Sequence, residues 1–156
     1  MTGVSWGLID LQTIADYQFG KPAGTVLFPT DDSIEIRRSR SGRPRQILAA
    51  DGRLVSLTTL GRYTLGVEGA TRLHRALKYP SYCVQVGEES EPFVRAGKNA
   101  FAKFVTDVDP DIRRGDEVLV VTSTDDLLGV GRAELNANGM QDFSTGMAVQ
   151  IRHGIE

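Results

Sequence analysis

A chain of 156 residues, 40% hydrophobic and 24% charged with a net charge of −2, has the make-up of an ordinary folded protein; wholesale disorder is excluded. No apolar run approaches the roughly 20 residues that cross a bilayer, and Met1 to Gly7 has neither the basic start nor the apolar stretch of a secretory signal, so a cytoplasmic protein with no membrane partner is expected. Cys83 is the single cysteine and has only His74 and His153 as other soft ligands, which excludes an intramolecular disulfide and leaves no expectation of a structural zinc site.

From Leu8 to Phe19 the apolar residues Leu8, Ile9, Leu11, Ile14, Ala15 and Phe19 recur at steps of three and four. That spacing predicts an amphipathic helix, ended by Gly20 and Pro22. Short β-branched or alternating runs follow near Thr25 to Phe28, Ser33 to Arg38, Arg45 to Leu48 and Leu54 to Leu57, and they predict strands joined by tight turns. The Asp51-Gly52 pair supplies the positive φ of a two-residue hairpin turn, so the last two runs are expected to pair antiparallel. Val67, Ala70, Leu73, Ala76 and Leu77 return to helical spacing, and Tyr79-Pro80 stops it.

The pattern then changes. Tyr82 to Val86, Ala100 to Val105, Glu117 to Thr122, Leu127 to Leu135 and Met147 to Arg152 read as strands punctuated by glycine or acidic turns, with helical turns at Glu91 to Ala96 and Gly139 to Phe143. Five or so strands in so short a stretch predict a small closed barrel. The expected organisation is α+β: a small N-terminal α+β domain over residues 1–77 and a β-barrel over 78–156. Charge divides with it. Residues 1–77 carry 10 Lys and Arg against 7 Asp and Glu, and residues 78–156 carry 8 against 13, so the halves bear +3 and −5. Within the first half Arg37, Arg38, Arg40, Arg43 and Arg45 crowd into nine residues, all of the type whose planar fork suits phosphate.

Four blocks of the second half make the reading specific. Gly97-Lys98-Asn99-Ala100-Phe101-Ala102-Lys103-Phe104-Val105, Ile112-Arg113-Arg114-Gly115-Asp116-Glu117-Val118, Gly129-Val130-Gly131-Arg132-Ala133 and Gly146-Met147-Ala148-Val149 stand in the order of a PUA domain, which they resemble. PUA is the module shared by pseudouridine synthases and archaeosine transglycosylases. In the first half, Ile14-Ala15-Asp16-Tyr17-Gln18-Phe19-Gly20, the Ser41-Gly42-Arg43 turn and Val67-Glu68-Gly69-Ala70 resemble the domain preceding PUA in archaeal tRNA-guanine transglycosylase. That family does its chemistry in a separate barrel with two catalytic aspartates and a cysteine-histidine zinc site, motifs this sequence does not contain. The resemblance therefore implies an RNA-handling portion without catalytic residues, metal or cofactor, and fold alone does not carry activity over.

By that resemblance Gly97 to Lys103 is the RNA-facing edge. Glycine removes the Cβ that would hold RNA away, and Lys98, Asn99 and Lys103 offer donors to phosphates or sugar hydroxyls. A barrel corner with a solvated face is the plainer reading of the same residues. Arg113 and Arg114 in the turn before Gly115-Asp116 can extend the surface, or pair with Asp109 or Asp111; Arg152 at the end of the last strand can reach phosphate, while Met147, Ala148 and Val149 read as core.

The arginine run is the second candidate. Alternation puts Arg38 and Arg40 on one strand face and Arg37 on the other, with Arg43 and Arg45 flanking Pro44 in the turn. Such a hairpin holds a helical RNA backbone without reading its sequence, or else serves solubility alone. Gly129-Val130-Gly131 lies in a predicted strand and opens no helix, so no dinucleotide site is read there; Asp31-Asp32 and Asp125-Asp126 are turn carboxylates.

The expected function is recognition of RNA, with tRNA the first candidate, by shape and in support of tRNA modification by a partner chain. The alternative is a non-catalytic protein-interaction subunit of a split tRNA-modifying transglycosylase. A small-molecule enzyme is the weakest reading, for want of a paired nucleophile and base.

Overall fold

The computed structural model describes residues 7–155; Met1 to Trp6, part of the stretch read as lacking a secretory signal, and Glu156 lie outside the described residues. Helix α1 spans Leu8–Phe19, as the spacing predicts. Asp10 accepts the Gly7 N–H at 2.8 Å, which satisfies one of the donors left open at a helix start. Gly20 leaves the helix at φ +84° and donates its N–H to the Asp16 carbonyl. Leu11, Ala15 and Phe19 form the buried stripe.

The run at Thr25 to Phe28 is not the strand its β-branched residues suggest. Ala23–Leu27 is a short helix, α2. Tertiary contacts override propensity here. Gly24 donates its N–H to Asp16 Oδ1 at 2.7 Å, and Gln12 Nε2 donates to the Phe28 carbonyl at 2.7 Å. A Cβ on Gly24 would stand 2.4 Å from the Gln12 carbonyl oxygen, so only glycine lets the two helices approach this closely.

An antiparallel sheet follows in the order β1 (Glu35–Arg38), β2 (Pro44–Ala49), β3 (Gly52–Leu57), β4 (Tyr63–Leu65). In the β2–β3 hairpin Ala49 lies opposite Gly52. The turn residues are therefore Ala50 and Asp51, one step before the expected pair, and Gly52 takes its positive φ just past the turn. Strand β4 was not expected. Its Tyr63 is buried, donates its hydroxyl to the Leu11 carbonyl at 2.9 Å and meets Phe28 edge-on at 5.7 Å, which ties sheet to helices. Helix α3 (Val67–Ala76) crosses β3 where a Cβ on Gly69 would come within 2.0 Å of the Leu54 carbonyl oxygen.

The chain divides between Ala76 and Leu77 into two compact units. The second holds β5 (Cys83–Val86), α4 (Glu91–Arg95), β6 (Ala100–Phe101), β7 (Val105–Val108), β8 (Glu117–Val121), β9 (Leu127–Ala133), α5 (Ala137–Asp142) and β10 (Met147–Gly154). Its strands run in the order β6-β10-β9-β8-β5-β7 and curl into a nearly closed barrel. Only β5 and β8 run parallel among the described pairings; every other pair is antiparallel. Val84, Val86, Val118, Val120, Leu128, Met140 and Val149 fill the interior. The mixed α+β architecture ending in a small barrel is that expected. The single strand expected at Ala100 to Val105 is instead two, because a 3₁₀ turn at Ala102–Phe104, anchored by the Ala102 N–H on the Gly146 carbonyl, sends β6 to β10 and β7 to β5. Among the described residues no helix is long and apolar enough to cross a membrane.

Cys83 is buried in β5. Burial first, then the carboxylates of Asp125 and Asp109, push its thiol from 9.0 up to about 12. In the folded chain the reactive thiolate is therefore scarce, and a disulfide reagent at pH 8 is expected to label Cys83 only after urea unfolding. The raised value also makes folding proton-linked. Stability from this group is complete below pH 9, where both states hold the proton, and falls as pH rises towards 12 because the unfolded chain ionises first.

Candidate nucleic-acid interface

Residues 97–103 form one continuous edge laid antiparallel along β10. At one end a Cβ on Gly154 would stand 2.1 Å from the Arg95 carbonyl oxygen and 2.7 Å from Gly97 N, so backbone touches backbone. Next, Asn99 Oδ1 accepts the Ile151 N–H at 2.9 Å. Ala100 and Phe101 then face Val149 and Met147, and Ala102 closes the run on Gly146. Gly97 sits at φ +93° with open space where a Cβ would be; its glycine answers to backbone conformation rather than crowding.

Of the four residues expected here, Lys98 and Lys103 are exposed. Lys103 Nζ lies 5.0 Å from the centre of the Phe104 ring, a cation–π distance. Asn99 has its amide oxygen occupied by the barrel, so it braces the edge as well as lining it. Phe101, Lys103, Phe104, Ser144, Thr145 and Gly146 border a groove of about 410 Å³. Phe101 and the 144–146 segment were not singled out in the sequence. An aromatic beside a lysine in an edge strand, facing Ser-Thr-Gly, was the available signal.

Arg113 and Arg114 are exposed and, among the described residues, pair with neither Asp109 nor Asp111. Asp109 accepts instead from the N–H groups of Tyr82 and Asp111, and Asp116 accepts the Arg113 N–H. Arg114 borders a shallow pocket with Gly115, Arg132, Ala133 and Glu134. Arg152 is committed elsewhere: its guanidinium holds the carboxylate of Glu117 on β8, a side chain only 6% exposed. A buried carboxylate needs such a partner. Glu117 was unforeseen because 35 residues separate the pair.

In the first unit the arginines divide by task. Arg37 pairs with Glu35 at 2.9 Å, Arg38 donates to the Gly42 carbonyl at 2.9 Å, and Arg43 donates across to the Thr58 carbonyl. Arg40 and Arg45 are exposed, without an ion pair among the described residues. The expected geometry differs at two arginines: β1 ends at Arg38, so Arg40 lies in the turn and not on a strand face beside Arg38. Arg45 lies in β2, not in the turn, whose tip is closed by Ser39 N–H to the Arg43 carbonyl and Gly42 N–H to the Ser39 carbonyl.

A small mixed barrel with a glycine-bent, lysine-bearing edge is the architecture of a PUA-class module. Residues 82–155 match the PUA domain, and residues 10–80 match the patch-forming domain C2 of tRNA-guanine transglycosylase. The chain is a C2 domain followed by a PUA domain, and it matches the C-terminal region of archaeal tRNA-guanine(15) transglycosylases. The enzyme of that name from Methanothermobacter thermautotrophicus is 49% identical over 146 residues, 92% of this chain and 22% of that protein. The chain spans about a quarter of the length of the curated relatives it matches. Among solved structures, a hypothetical protein from Pyrococcus horikoshii OT3 superposes with a TM-score of 0.73 at 20% identity, covering 94% of this chain and 89% of that one. A conserved PUA domain protein from Thermoplasma acidophilum gives 0.58 at 23%, covering 92% and 89%. The two matched domains support RNA binding.

Proposed function

We propose that this chain binds tRNA by shape through the 97–103 edge, and that it serves a tRNA-modifying chain which supplies the catalysis. The observation that carries the reading is the edge itself, a continuous run bent at Gly97, with Lys98 and Lys103 exposed and the Phe101–Gly146 groove beside it. Lysines on such an edge meet phosphates, and a groove with an aromatic wall takes an unstacked base. The second unit carries −5 overall, so attraction is local rather than diffuse, and contact along a narrow strip fits that balance better than broad wrapping. The arginine turn of the first unit, with Arg40 and Arg45 outermost, is assigned to the phosphate backbone as a second contact, the two units acting as separate domains. The names of the curated relatives point to tRNA as the RNA.

The test is binding of the purified chain to total tRNA, to double-stranded RNA and to DNA of similar length, at two salt concentrations. Preferential, salt-sensitive binding of tRNA is expected. Equal binding to all three would remove shape recognition. A chain that binds none of them yet copurifies with a catalytic chain would instead be a protein-interaction subunit.

A further inference from the structure

The two hairpins β1–β2 and β3–β4 turn at the same end of the first sheet, and Arg43 bridges them by donating to the carbonyl of Thr58. This adds Arg62, from the second turn, to the arginines of the first. From Ser33 to Gly66 the chain carries seven arginines against two acids. Both acids lie towards the other end: Asp51 is in the β2–β3 turn, and Glu35 stands opposite Leu48. Five arginines, Arg38, Arg40, Arg43, Arg45 and Arg62, therefore gather as a crown in or beside the two turns at one end of the sheet, away from both acids of this stretch.

Beside this crown lies a groove of about 410 Å³ lined by Ile14, Tyr17, Gln18, Leu60, Gly61 and Arg62. Its volume falls in the ~300–1,000 Å³ range of ligand clefts. Its floor is fixed, because Gln18 Nε2 donates to the Tyr63 carbonyl at 2.9 Å while Gln18 Oε1 accepts the Tyr63 N–H at 2.7 Å. Its rim is apolar and open: Tyr17 is 93% exposed and Leu60 87%. Asp16, the carboxylate next to Tyr17 on α1, is taken by Gly24 N–H. An aromatic face this exposed gains nothing from the fold, and it stands next to the strongest positive charge of the first unit.

We infer that this groove is a stacking site for one unpaired nucleobase of an RNA strand whose phosphates lie on the arginine crown. The inference rests on the reading of the arginine turn as a backbone contact. It goes further in giving the surface a preference: a regular duplex offers phosphates but no free base, whereas a bulged or looped nucleotide offers both. Stacking on an aromatic face tolerates any base, so the preference is for an unpaired nucleotide and not for a sequence.

Two hairpin RNAs of equal length test it, one fully paired and one with a single unpaired adenosine in the stem, titrated with the intact chain. The bulged hairpin is expected to bind about tenfold more tightly. Tyr17→Ala should abolish that difference and leave the affinity for the paired hairpin unchanged, and Tyr17→Phe, which keeps the ring, should retain it. Arg40→Ala with Arg45→Ala should weaken both hairpins alike. Equal affinity of the intact chain for the two hairpins overturns the stacking site and leaves the backbone contact standing. A preference that survives Tyr17→Ala does the same, and leaves the groove to a protein partner. Failure to bind either hairpin overturns the backbone contact as well.

Discussion

Gly131→Ala is expected to cost the barrel about 1–3 kcal/mol or more. A Cβ at this position would stand 2.1 Å from the Gln150 carbonyl oxygen and 2.9 Å from both Gln150 C and Ile151 Cα. Those atoms are backbone of β10, so relief requires the strands to part. Gly131 lies opposite Ile151, and the register slips by one residue immediately after that pair, where a bulge sharpens the twist. At roughly 4–8 °C per kcal/mol for a domain of this size, thermal unfolding followed by circular dichroism should show the melting temperature fall by several degrees to more than ten. Asn138→Ala, on the exposed side of α5, serves as control and should move it little. An unchanged melting temperature in Gly131→Ala would mean that β9 and β10 separate at no cost.

Lys98→Ala combined with Lys103→Ala is expected to lower tRNA affinity roughly tenfold at low salt and to reduce the slope of log affinity against log salt by about two. Each lysine that neutralises a phosphate releases about one counterion, so the slope counts contacts directly. The loss should be the same for every RNA sequence, because phosphates carry none. Lys103→Arg should keep the slope by keeping the charge, which separates a charge contact from the packing of Lys103 on Phe104. A slope that stays the same in the double variant would take this edge out of the interface.

Local signals made much of the fold legible in the sequence. Helix α1 has a regular apolar stripe and a glycine at its end, and Asp51-Gly52 marks the β2–β3 hairpin to within one residue of its turn, so both were readable. What could not be read was settled by distant partners. Thr25 and Val26 favour a strand, but Asp16 and Gln12 draw the segment into a helix. Strand β4 is three residues long and exists because β3 is there to pair with it. Ala100 to Val105 looks uninterrupted until Gly146 pins Ala102.

The candidate site follows the same division. The lysines and the glycine of the 97–103 edge were visible as a motif, whereas the place of Arg62 beside the arginine turn depends on two hairpins sharing one end of a sheet. The tie between Arg152 and Glu117 spans β8 to β10 and leaves no periodic trace. For the glycines at 129 and 131 the sequence excluded a dinucleotide site, and the structure gives their physical reason in the close approach of neighbouring strands: a Cβ on Gly129 would meet His153 O at 3.1 Å.

The 97–103 edge begins on α4, whose Val94 and Phe93 carbonyls accept the N–H groups of Gly97 and Lys98, but from Asn99 onward its anchors come from β10 or the glycine just before it: Ile151 on Asn99, Val149 and Met147 opposite Ala100 and Phe101, and Gly146 on Ala102. During synthesis the edge is made some fifty residues before its support, since Asn99 and Ile151 are 52 positions apart. A ribosome-bound chain halted ahead of β10 therefore has the start of this segment tied to α4, while Asn99 to Lys103 lack the strand that they pair with in the finished fold. The outer part of the edge therefore takes its folded geometry only once β10 has been made.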